Sequence, residues 1–88
     1  MRTFMATHTL PPNAVSLEQV QTLSRLAQQD AVVKGRHAYG NLSEGKVVCI
    51  LDAPNREALA EFFERNHMPV DSIVPVEFEG EGGTVRRT

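Results

Sequence analysis

The run Val47-Val48-Cys49-Ile50-Leu51 is apolar at every position and is closed by Lys46 on one side and Asp52 on the other. It is far too short for a membrane span, which takes about 20 apolar residues. As a β-strand it would send Val47, Cys49 and Leu51 to one face and Val48 and Ile50 to the other. A strand with one wet face alternates apolar and polar residues, whereas a strand apolar on both parities needs cover on both sides. A fold for this chain is therefore expected to bury both faces of the strand at residues 46–51 and to supply cover for each.

The neighbouring segments say what the cover is. Residues 2–9 (RTFMATHT) carry β-branched and aromatic residues and stop at Leu10-Pro11-Pro12, which reads as a strand ended by prolines that cannot donate to a ladder. Ser16 and Gln19 have capping-box spacing, and Leu17, Val20, Leu23, Leu26 and Ala27 fall on one side of a helix running to about Gln29 or Asp30. Residues 35–40 and 46–51 form a hairpin, with turn chemistry from Asn41, Ser43 and Gly45. Asn55 is the expected N-cap of a second helix with the stripe Ala58, Leu59, Phe62 and Phe63, and Asn66 its expected left-handed stop ahead of Pro69. A last strand, residues 72–78, precedes a Gly- and Glu-rich segment, 79–88, expected to be a flexible tail.

This order is β-α-β-β-α-β, the split βαβ of ferredoxin-like α+β folds: a four-stranded antiparallel sheet with both helices on one face. The second sheet face is then bare. Another copy of the chain is the simplest cover, since one patch serves both sides of a two-fold interface, so a homodimer is expected. The chain has 88 residues, enough for one core, and the expected domain is residues 1–78. A net charge of −2 gives no attraction for nucleic acid or acidic membranes. One cysteine excludes an internal disulfide. The opening residues MRTFMATHTLPP lack a continuous apolar segment, so no signal peptide and a cytoplasmic location are expected.

Several stretches in this order form a recurrent pattern: Phe4-Met5 and then His8; His37-Ala38-Tyr39; Lys46 to Cys49 running into Ala53-Pro54; and Glu64-Arg65 leading through Pro69 and Asp71 to Ile73. Over nearly all of residues 3–78 the chain resembles a family of small bacterial proteins of unknown function that includes nickel-binding ferredoxin-like dimers. The resemblance implies the split βαβ fold, dimerisation, and a transition metal held mainly by imidazoles. His8 and His37 stand where the nickel-binding members have histidines. The chain departs from them at Ala6, where they have an acidic residue, and at Phe63 and Met68, where they have further histidines; His67 lies one position from the latter.

The candidate metal ligands are therefore His8, His37 and His67, with nickel or another divalent transition metal as the expected ion. Imidazole suits nickel, zinc and copper, and His8 and His37 on neighbouring strands would converge on one ion. The residues by themselves favour the plainer reading, polar side chains lining a partly wet interface, and the resemblance brings the two readings level. His67, after a helix end, is expected to face solvent. Cys49, alone in an apolar strand, reads as a small buried hydrophobe, and a Cys49–His37 pair depends on a register that the sequence leaves open. Glu57 and Glu61 read as a solubilising surface, and no catalytic residue is assigned. Two functions follow: a dimeric metal-binding protein, or a metal-free binding module that takes a small apolar ligand. A cofactor-free enzyme is the weakest reading, because no acid–base pair supports it.

Overall fold

The computed structural model describes residues 1–88. Its elements are β1 (Arg2–Thr9), α1 (Leu17–Gln29), β2 (Lys34–Asn41), β3 (Lys46–Ala53), α2 (Arg56–Arg65), β4 (Ser72–Pro75), β5 (Phe78–Glu81) and β6 (Thr84–Arg87). The first four strands to pair form one antiparallel sheet in the order β2-β3-β1-β4, and β5 and β6 form a separate two-stranded sheet. The architecture is α+β. The apolar strand β3 lies inside the larger sheet, flanked by β2 and β1.

Register sorts the side chains onto two faces. Phe4 pairs with Leu51, Ala6 with Cys49 and His8 with Val47, and all six are buried beneath the helices. On the other face Met5 pairs with Ile50 and Val74, and Thr7 with Val48 and Ser72. There Val48 and Ile50 are only half-buried, while Met5 and Val74 are 37% and 39% exposed. The second face is apolar at its centre and polar at its ends, where Thr3 donates to Asp52 at 2.6 Å and Thr9 to Asp71 at 2.6 Å.

The two helices cover the first face unequally. Asn55 caps α2, its side-chain oxygen accepting the Ala58 N–H at 2.8 Å, and the helix buries Leu59, Phe62 and Phe63. Each such side chain contributes roughly 1.5–3 kcal/mol on leaving water. Ser16 and Gln19 form the capping box of α1, with Ser16 Oγ accepting at 3.2 Å and Gln19 Oε1 at 2.8 Å. Yet α1 buries only Ala27; Leu17 is 77% exposed and Leu26 41%. Its expected five-residue stripe is thus narrower in practice. The helix leans on β2 near Gly35, where a Cβ would lie 3.1 Å from that of Ala27, and Val20 and Leu23 only partly reach the sheet.

Two further expectations are corrected. Asn66 is not the left-handed residue: its φ is −101°, and His67 takes φ 57° instead. Met68 N–H donates to Phe63 O at 2.9 Å and His67 N–H to Glu64 O at 3.1 Å, the paired bonds of a Schellman stop. Asn66 is held out of that role by its amide, which donates to Phe62 O at 2.8 Å. The second correction is at the C-terminal end. The last sheet strand stops at Pro75, and the segment read as a tail contains the β5–β6 hairpin. Gly82 and Gly83, at φ 57° and 86°, make the two-residue turn whose positive φ values suit the strand twist. Arg36, the extra residue of a bulge in β2, ties the hairpin to the sheet through Glu79 at 3.4 Å and Asp52 at 3.8 Å.

The β2–β3 turn is fixed from outside. Gly45, at φ 71°, accepts the Leu10 N–H at 2.9 Å through its carbonyl and lies so close to Leu10, just past β1, that a Cβ would fall 1.9 Å from Leu10 O. Backbone on both sides prevents relief. Gly45→Ala is expected to lower the unfolding free energy by more than about 2 kcal/mol, since strain in φ and a backbone clash add. Urea denaturation of the two proteins measures it.

Candidate functional site

His8 is the one polar residue in the buried core, at 1% exposure. It sits on the inner face of β1 because the alternation Phe4, Ala6, His8 carries it there. Its Nδ1 lies 2.7 Å from the Pro69 carbonyl oxygen. A carbonyl only accepts, so Nδ1 carries the proton and Nε2 presents a lone pair. That Nε2 is fully buried and has no hydrogen-bond partner. Leaving a buried acceptor unpaired costs about 1–3 kcal/mol. The Phe63 ring stands against the imidazole, centroids 4.7 Å apart and planes at 66°. Burial holds the His8 pKa below the ordinary imidazole value; the Pro69 bond and the nearby Asp71 carboxylate oppose this but do not prevail.

His37 lies elsewhere. It pairs with Ile50, on the bare face of the sheet, and stacks on Tyr39 with centroids 6.2 Å apart. β3 separates β1 from β2, so His8 and His37 are not on neighbouring strands, and they point to opposite faces. They do not converge on one position within the chain. The same register pairs Ala38, not His37, with Cys49, which removes the Cys–His pair. Burial pushes the Cys49 thiol up to about 11, so it is protonated at neutral pH and packs as a small apolar group. His67 is exposed at the end of α2, beside a groove that Glu64, Pro69 and Asp71 also line.

No three His, Cys, Asp or Glu side chains come together to enclose an ion. The fit to a metal is therefore partial. His8 Nε2 is an oriented, unsatisfied nitrogen of the kind that ligates, its other nitrogen fixed by a backbone carbonyl as in many metal sites. The Phe63 ring stands against it, and Phe63, Ala6 and Met68, where the resemblance would expect further ligands, supply neither a nitrogen nor a carboxylate. The family resemblance singled out His8; what the sequence could not supply was the bond to Pro69, which fixes the tautomer from 61 residues away.

These features define a small α+β domain with a single buried, half-satisfied imidazole under its helices and one bare sheet face. The model of the nickel responsive protein SCO4226-like family matches residues 4–76, and the chain belongs to that family. Among solved structures, the crystal structure of SCO4226 from Streptomyces coelicolor A3(2) is similar, with a TM-score of 0.73 and 24% sequence identity, covering 89% of this chain and 99% of that one. At that identity the likeness establishes the fold. No curated protein matches the chain. No helix is long and apolar enough to cross a membrane.

The buried imidazole generates a pH dependence. The folded state keeps His8 neutral below the ordinary pKa, whereas the unfolded chain takes up a proton near pH 6.5. Between those two values the unfolded state binds more protons, so stability falls as pH drops and levels off below the folded pKa. The slope from one group is at most about 1.4 kcal/mol per pH unit. His8→Gln retains a donor for Pro69 and cannot titrate. Denaturation of metal-free protein at pH 7.5 and pH 5.5 should show a smaller loss in His8→Gln than in the native chain.

Proposed function

We propose that the protein is a small homodimer that binds a divalent transition metal, nickel foremost, through histidine: His8 as its interior ligand, with His37 and His67 as separate surface imidazoles. The order of its elements and strands supports the ferredoxin-like split βαβ arrangement for the domain. The observation that carries the metal reading is the unpartnered Nε2 of His8, a lone pair aimed into the interior by the bond to Pro69. The family's description as nickel responsive agrees with it.

The ligand set of one chain is small, so the reading is of weak, exchangeable binding rather than a closed chelate. Such binding suits a protein that responds to a metal concentration. The half-buried Val48 and Ile50 and the exposed Met5, Val74 and Tyr39 support the dimer, because an apolar centre with a polar rim is the anatomy of an interface. An ion bound there would meet His37 first.

Calorimetric titration of tag-free protein with nickel, zinc and copper tests the proposal. Nickel is expected to give a saturable heat that weakens as pH falls through the imidazole range, because the ion displaces protons. His8→Gln should remove most of that heat, His37→Ala part of it, and His67→Ala little. No heat and no thermal shift with any of the three metals would overturn the metal reading. Loss of binding in Cys49→Ala alone would show the ligand to be the thiol.

A further inference from the structure

The looseness of α1 leaves a cleft on the helix-covered face, on the α1 side. Ala38 points to this face because it pairs with Cys49, yet it is exposed. Helix α1 touches β2 at the Ala27–Gly35 approach and does not close over the rest of the strand. The resulting space is about 160 Å³, lined mostly by apolar side chains, among them Val20, Leu23, Ala38, Cys49, Phe62 and Met68. Ser24 and Gln28 stand at its exposed rim. The Gln28 amide donates its N–H to Gly35 O, which leaves the Oε1 of that side chain to accept from elsewhere.

The geometry points to this cleft as a binding site for a compact apolar molecule of one or two fused rings, with a single N–H or O–H edge turned toward Gln28 Oε1. The site needs no metal ligand: His8 does not line it, and His37 borders it from β2 while its pairing with Ile50 places it on the opposite sheet face. Its volume sets the class. An apolar protein cavity of about 150 Å³ takes benzene or xenon and stays dry without them. Drug-sized ligands need pockets of roughly 300–1,000 Å³. The lining also sets the polarity, since a ligand with more than one buried polar group would lose hydrogen bonds to water and find no replacement beneath α1. Entry requires little rearrangement, because the mouth is the side that α1 fails to cover.

Benzene and indole are suitable probes, followed by amide chemical shifts and melting temperature of the full-length protein. Both should shift the resonances of Ala27, Ala38 and Cys49 saturably and raise the melting temperature, indole at lower concentration than benzene because its N–H meets Gln28. Either probe should also slow alkylation of Cys49. Ala38→Phe fills the cleft from an exposed position and should abolish the response; Ser24→Trp, exposed on the helix, does the same should Ala38→Phe fail to fold. No saturable shift near the solubility limit of either probe would overturn the proposal, as would an unchanged response in the folded blocking variant. Shifts of the same resonances with protein concentration, in the absence of probe, would also overturn it by assigning the cleft to a second copy.

Discussion

Strand β3 sets the terms for the whole molecule, because it is apolar on both faces and lies inside the sheet. Its inner face, Val47, Cys49 and Leu51, is covered by α2 and by the strand partners Phe4, Ala6 and His8. Its outer face, Val48 and Ile50, receives no helix. The sheet thus has one face finished within the chain and one that a second copy would finish. The charged and hydroxyl groups of Arg36, Asp52, Thr3, Thr9 and Asp71 are held at the ends of the bare face by mutual bonds, so they do not interrupt its apolar centre.

The same two-faced sheet explains why the histidines separate. Alternation along β1 puts His8 among the core residues, whereas the bulge at Arg36 shifts the register of β2 and sets His37 on the bare face. A bulged residue cannot be placed from the pattern of one strand, because it depends on how the partner strand is met. Pairing of β1 with β3 was likewise a matter of tertiary order, and the expectation that His8 and His37 lie on adjacent strands failed there. The helix caps at Ser16 and Asn55, the turn at Gly45 and the Phe62–Phe63 core stripe were all readable, since each rests on local chemistry.

Other differences have equally local causes. Asn66 and His67 are adjacent candidates for a left-handed stop, and only the Asn66 amide bond to Phe62 O decides between them. The Gly82-Gly83 pair was a hairpin signal hidden in a segment whose flanking runs, Phe78–Glu81 and Thr84–Arg87, are too polar to show a strand pattern. The partial cover by α1 had no sequence signature at all: its apolar positions are correctly spaced, yet only Ala27, which lies against Gly35, is fully buried. The cleft beside Ala38 and Cys49 lies along this incompletely covered side.

The dimer and any metal chemistry at His37 on the open face both depend on cover of that face by a second copy. Sedimentation equilibrium of tag-free, metal-free protein at tens of micromolar tests it most directly, with Ile50→Asp as the comparison because it places a charge at the centre of that face. A mass near twice 9.7 kDa is expected for the native chain and a folded monomer for Ile50→Asp. A native chain that sediments as a monomer, or an Ile50→Asp variant that stays dimeric, would contradict it.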